Sequence, residues 1–321
     1  MHKKSILYLP DGNQFDDIRV DLPASYKIQD DYLLTVSKKN STKNIGMNWF
    51  KLFILVFLRK IKIWESLVQC GFIKGWFLEF YDYWINVLNG RPITVFDFHN
   101  LYFNYRRKNQ ESSEMTWDNA QDHIHNWQHP SNIGLTFHYV AKYSRSPFRS
   151  KELFKYIKKG QQVLEYGCAL APMYRTYREY LNHLGCHWVL ADIPNFPFHY
   201  SRYTYGKDAD VIFSTITDDL IDDPLRGIDK QYDLIIIQEV FEHLHSPLHI
   251  AKYLNERLRP GGILFFDYVL SDAKGLDTPM GLAQRGETLK YLSEHFKILN
   301  GQLTLNPNQT VGFCVGKKDK K

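Results

Sequence analysis

The chain has 321 residues, of which 44% are hydrophobic and 23% charged, and it carries a net charge of +5. This length favours one large domain or a domain with a substantial extension, and the composition excludes wholesale disorder. Basic residues cluster only at Arg59–Lys62, Arg106–Lys108 and Lys317–Lys321, well short of the continuous stripe of a dedicated nucleic-acid binder.

The segment after Met1 holds only a short apolar stretch before Pro10 and Asp11, too little for a signal-peptide core. Residues 1–45 contain two turn-rich patches around short β-like runs such as Tyr32–Val36. The run Leu52–Leu58 is far shorter than the ~20 residues of a spanning helix. With Trp49, Phe50 and the following Arg59, Lys60 and Lys62, it reads as a helix packed into its own domain, with peripheral membrane contact as the second reading. From Met47 to Leu88 the pattern is helical and aromatic, interrupted at Gly71 and Gly75 and closed by Asn89–Gly90. Residues 91–150 show no steady periodicity. Within them, His123, His125 and His129 are spaced too loosely for a zinc signature and read as polar loop. Phe137, His138, Tyr139 and Tyr143 read as aromatic packing against the first helix, or alternatively as part of a lid.

After Pro147 β-type runs alternate with amphipathic helices. Strands are expected at Gln162–Tyr166, Trp188–Ala191, Val211–Ser214, Tyr232–Ile237 and Gly262–Leu270, then at Lys297–Thr304 and Thr310–Val315. Met173, Tyr174, Tyr177, Leu181 and Leu184 share one face of the helix after the first strand. The near-continuous Leu and Ile run at 232–237 marks a central strand buried on both faces. Ser246 offers an N-cap hydroxyl and Pro247 a first helical position, Pro260–Gly261–Gly262 stops that helix, and a last helix is expected at Glu287–Phe296. The short link around Asn306–Pro307–Asn308 permits only an antiparallel hairpin at the end of the sheet. The expected organisation is a mainly helical region over 1–149 and an α/β domain over 150–321. Cys70, Cys168, Cys186 and Cys314 lack any paired spacing, which suits free thiols and a cytoplasmic setting.

In an open α/β sheet ligands sit beyond the carboxyl ends of the strands, where strand order reverses. The sequence there is Glu165–Tyr166–Gly167–Cys168–Ala169–Leu170–Ala171–Pro172, with one glycine where a dinucleotide fingerprint has three. A nicotinamide or flavin dinucleotide is therefore a poor fit. Glu165 suits an ammonium group, Gly167 allows close approach of a ligand to backbone, and Asp192 suits two ribose hydroxyls.

These segments resemble the motifs of class I S-adenosylmethionine-dependent methyltransferases. Val163–Cys168 resembles the first motif, Leu190–Asp192 the second, Tyr232–Leu244 the fourth and Leu258–Gly262 the turn before strand five. The resemblance covers about residues 150–316 and implies a Rossmann-like seven-stranded sheet with an antiparallel terminal hairpin. It implies S-adenosyl-L-methionine as cofactor, held by Glu165 and Gly167 at its methionine end and Asp192 at the ribose. Thr217 and Asp218 would lie near adenine, and Gln238 counts among the cofactor-binding positions. The usual G-x-G-x-G loop is here Gly167–Cys168–Ala169–Leu170–Ala171.

Methyl transfer to a hydroxyl needs a base for the acceptor proton. Glu239, Glu242 and His243 share one face if their segment is helical, so His243 or Glu242 can act as that base. The same three residues form a candidate site for a divalent cation such as Mg, and their Glu-x-x-Glu-His arrangement resembles metal-assisted O-methyltransferases acting on quinone precursors and RNA ribose ends. The leading expectation is an O-methyltransferase for a hydroxylated small molecule, a sugar or lipid-linked metabolite, similar to the ubiquinone-biosynthesis-type group. Ribose 2′-O-methylation of RNA, a non-catalytic binding module and a dinucleotide oxidoreductase are the alternatives.

Overall fold

The computed structural model describes residues 57, 61, 63, 75–93, 120–128, 132–143, 151–271 and 277–319. These residues fall into two compact units, one holding 57, 61, 63, 75–93, 128 and 132–143, the other 120–127, 151–271 and 277–319.

In the first unit, α1 (Gly75–Asp82) continues into a π turn at Tyr83–Val87. It stops where Asn89 turns to a φ of 52° and the Gly90 amide donates to the Trp84 carbonyl at 2.8 Å, the stop expected from Asn89–Gly90. The Phe137 ring on α3 (Asn132–Tyr143) is fully buried, its centroid 5.3 Å from Trp76, 6.2 Å from Phe77 and 5.0 Å from Phe80. The surface-helix reading of Trp49–Lys62 lies outside the described residues except for the exposed Phe57 and Ile61, and Cys70 and His129 also lie outside them. Among the described residues no helix is long and apolar enough to cross a membrane.

The second unit is built on a seven-stranded sheet of order β3-β2-β1-β4-β5-β7-β6. The strands are β1 (Gln162–Tyr166), β2 (His187–Asp192), β3 (Val211–Thr215), β4 (Tyr232–Ile237), β5 (Leu258–Tyr268), β6 (Phe296–Asn300) and β7 (Val311–Lys318). Pairing is parallel from β3 through β5, while β7 runs antiparallel to both β5 and β6. This is the seven-stranded sheet with an antiparallel terminal hairpin that the resemblance implies. The chain winds outward from the β1/β4 boundary in both directions, which places the ligand crevice beyond the carboxyl ends of those two strands.

Successive strand residues alternate between two cores. Leu164, Ile235, Ile237, Leu264 and Phe266 meet α7 (Pro247–Arg257) and α8 (Arg285–His295) through Leu254 and Leu289. Val163, Leu190, Leu234, Ile236 and Phe265 face α4 (Leu153–Tyr156), α5 (Pro172–Tyr180) and α6 (Phe196–Tyr205) through Leu153, Met173, Tyr174, Tyr177 and Phe198. Leu181 is also buried, although it lies beyond the end of α5.

Four local expectations need correction. First, β5 begins at Leu258, before the Pro260–Gly261–Gly262 turn, because a register shift between Tyr232 and Leu234 lets the strand absorb the proline and the positive-φ Gly261. Second, Ser246 caps α7 without a side-chain hydrogen bond, contributing instead its carbonyl to the Ile250 amide at 3.1 Å. Third, α6 was not foreseen: it is buried on almost every side, so it shows no amphipathic stripe. Its start was nonetheless written in Asn195, which accepts from the Phe198 amide, and in Pro197. Fourth, His123 and His125 lie on α2 (Ala120–Trp127) rather than on a loop.

Candidate functional site

The crevice floor is the bend between β1 and α5. Gly167, Ala169 and Ala171 adopt left-handed backbone at φ 65°, 47° and 48°, a conformation that favours glycine and is here held by alanine at two positions. Each such alanine costs about 1–2 kcal/mol. A Cβ at Gly167 would overlap the Val240 side chain, so the β1 bend and the turn after β4 are packed directly together. The Gly167 and Cys168 amides both donate to the Ala191 carbonyl, at 2.8 and 3.2 Å, and the Ser201 hydroxyl donates to the Ala169 carbonyl at 2.6 Å.

Two buried carboxylates hold this bend. Glu165 accepts from the Met173 amide at 3.1 Å and the Tyr174 amide at 2.9 Å, satisfying two of the unpaired donors at the start of α5. Its side chain thus anchors the helix that follows the loop. Burial pushes its carboxyl up to about 8, against the lowering effect of those two amides. Asp192, at the end of β2, accepts from the Ala169 amide at 2.6 Å, the Ile193 amide at 2.7 Å and the Asn195 side chain at 3.0 Å. Burial raises it to about 7. A carboxylate offers roughly four lone-pair sites, so about one remains on Asp192 for an incoming hydroxyl.

Thr217 and Asp218 lie just after β3, at the opening of the 3-10 turn Asp218–Leu220. The Thr217 hydroxyl donates to Asp219 at 2.6 Å, and Asp218 is exposed. Helix α2 packs alongside this turn. Gln238 is half-buried directly after β4.

The expected shared face of Glu239, Glu242 and His243 does not form. Glu239 takes a φ of 54° and is exposed, its amide donating to Asp267 at 2.6 Å, and only Phe241–His243 make a short 3-10 turn. The positive φ swings Glu239 out of helical phase with the other two residues. Among the described residues no three His, Cys, Asp or Glu side chains converge as a metal ion requires, so the metal reading of Glu239, Glu242 and His243 is withdrawn.

What the turn does bring together is an acid and an imidazole. Glu242 is 2% exposed, its Oε1 lies 3.9 Å from His243 Nε2, and its Oε2 is buried without a hydrogen-bond partner. Burial, aided by Asp277 and Glu239, pushes this carboxyl up to about 8, while Arg285 works the other way. The backbone here is fixed from behind. The Thr278 amide donates to the Glu242 carbonyl at 2.9 Å, and Phe241 stacks on Tyr268 at 5.4 Å. Arg285, itself buried, donates to the carbonyls of Tyr268, Val269 and Gln309 at 2.6, 3.2 and 2.6 Å. From the front, the Trp127 ring of α2 meets His243 edge-on at 5.6 Å.

Trp127, Asn195, Asp267 and Arg285 were not anticipated from sequence. Only Asn195 carried a readable signal, as a cap before Phe196–Pro197.

The family described as Methyltransferase domain matches residues 138–304, just over half of the chain. No curated protein matches. Solved structures that resemble the chain include a methyltransferase from Pyrococcus furiosus, with 14% identity over 54% of this chain and 83% of that one and a TM-score of 0.35. An O-methyltransferase family protein from Burkholderia thailandensis shows 10% identity over 60% of this chain and 61% of its own, with a TM-score of 0.42. An N-methyltransferase, NodS, from Bradyrhizobium japonicum shows 16% identity over 56% and 95%, with a TM-score of 0.39.

Proposed function

Given that the chain belongs to the methyltransferase-domain family and is an S-adenosylmethionine-dependent methyltransferase, we propose that it methylates a hydroxyl of a small organic acceptor, with His243 as general base. The observation that carries this reading is the Glu242–His243 pair, held 3.9 Å apart on the turn that packs through Val240 onto Gly167 of the cofactor bend.

The residues of the crevice fit the cofactor by their chemistry. Gly167 leaves space that any side chain would fill, Asp192 retains acceptor capacity for a ribose hydroxyl, and the buried Glu165 and Asp192 suit a ligand carrying positive charge. Thr217, Asp218 and Gln238 line the rim on the adenine and methionine sides in this reading. When bound, S-adenosylmethionine supplies a methyl group on a sulfonium, an electrophile that requires no further activation.

The protein's own part is positioning and proton transfer. The imidazole of His243 takes the acceptor's hydroxyl proton. Glu242, 3.9 Å from that ring, favours the positive charge the imidazole gains once its own raised carboxyl ionises.

Substitution His243→Ala should lower kcat about 10²–10⁴-fold with cofactor affinity unchanged, and Glu242→Gln should lower it less. Labelled methyl transfer to a panel of hydroxylated acceptors reads this directly. Activity within a few fold of the parent in His243→Ala would remove the base assignment. Salt-sensitive methylation of RNA in place of the small acceptors would remove the acceptor class.

A further inference from the structure

Helix α2 is set apart from the rest of the catalytic unit by its place in the chain. It ends at Trp127, ahead of residue 138 where the family match begins, yet it belongs to the unit that carries the sheet. At one point α2 packs beside the Asp218–Leu220 turn after β3, and at its carboxyl end Trp127 meets His243 after β4. An eight-residue helix is about 12 Å long, and with its side chains it touches the turn after β3 as well as the imidazole after β4. Ile124 anchors the helix by burial, while Trp127 is only half-buried.

The Trp127 and His243 rings meet edge to face at 75° with centroids 5.6 Å apart, so the indole stands directly beside the imidazole. A flat apolar surface stacks on an indole face, and a hydroxyl at its edge then points at the imidazole. Building on the methyl-transfer reading, we propose that Trp127 is the acceptor-selecting residue: it receives an acceptor that presents a flat apolar face beside its reactive hydroxyl. A phenolic ring and the C–H face of a pyranose share that chemistry. Trp127 touches the base as well as the acceptor, so it both selects the acceptor and holds the His243 ring in place.

The test uses the full chain with catechol and methyl α-glucopyranoside as probes, and compares Trp127→Ala and Trp127→Phe with the parent. Each variant is first titrated with S-adenosylhomocysteine. Unchanged affinity shows that the crevice is intact, and absent binding in the parent would point instead to failure of the methyl-transfer reading. Expected are a rise in acceptor KM of about tenfold or more in Trp127→Ala, and recovery to within about threefold in Trp127→Phe, which keeps a flat ring. Quenching of indole fluorescence when the acceptor probe is added to cofactor-free protein should disappear in Trp127→Phe. Preference for catechol over the glucoside, or the reverse, identifies the source of the flat face. An unchanged KM in Trp127→Ala, or no binding of either probe to a parent that binds S-adenosylhomocysteine, overturns the proposal.

Discussion

Replacing Ala169 by glycine should stabilise this protein, which is unusual for a change to glycine. Ala169 holds a φ of 47°, where a Cβ costs about 1–2 kcal/mol, and its side chain is half-exposed, so its methyl contributes little packing. Glycine relieves the strain but returns about 0.4–1 kcal/mol through the greater freedom of the unfolded chain. The net gain is about 0.5–1 kcal/mol, or about 1–4 °C in the melting temperature of a unit this size. Ala171 has the same strain at φ 48° but is fully buried in the second core, where losing a methyl costs about 0.8 kcal/mol. Ala171→Gly should therefore be close to neutral. Gly167→Ala supplies the opposite sign, since its Cβ would overlap Val240 in addition to the strain at φ 65°, a loss of about 2–4 kcal/mol. Denaturant and thermal unfolding of the three variants read these differences. A destabilised Ala169→Gly, or a neutral Gly167→Ala, would refute the left-handed bend on which the crevice is built.

Three further outcomes follow from the same geometry. Glu165 and Asp192 ionise near pH ~4 in an unfolded chain but hold their protons to about 8 and about 7 when folded. The folded state then binds more protons, so their contribution is complete below pH ~4 and is lost as pH rises through about 7 to 8. A positively charged cofactor favours the ionised forms. Calorimetry near pH ~7 in buffers of different ionisation enthalpy should show net proton release on binding, and zero release would count against this coupling. Arg285→Met leaves three carbonyls without their donor and should cost about 3–5 kcal/mol in urea unfolding, and a loss under about 1 kcal/mol would contradict the clamp. A chelator should leave turnover within about twofold, because Glu239 is turned out of phase with Glu242 and His243, and strong inhibition would restore the metal reading.

The strands that could be read were those whose burial leaves a simple pattern. Tyr232–Ile237 is apolar because both of its faces are covered, and Gln162–Tyr166 is followed at once by the glycine that ends it. The antiparallel end followed from a link too short for a crossover. What could not be read was hidden by physics that a sequence does not display. Nothing in Ala169 or Ala171 announces left-handed backbone, since alanine carries a Cβ that disfavours it there. The role of Glu165 at the start of α5 depends on two amides eight and nine positions away meeting one carboxylate in space. The helical phase expected for Glu239, Glu242 and His243 failed at a single residue, because the Glu239 amide is drawn to Asp267 on the neighbouring strand. Trp127 reaches His243 across more than a hundred residues of chain, a contact that no local pattern encodes.

In the proposed reading the bend from Glu165 to Ala171, together with Asp192, holds an adenosyl sulfonium. Isothermal calorimetry of the full chain tests it most directly. S-adenosylmethionine and its demethylated product should bind, NAD should not, and Asp192→Ala should weaken binding by about 100-fold or more while the protein stays folded. Binding of NAD in place of S-adenosylmethionine, or unchanged affinity in Asp192→Ala, would contradict it.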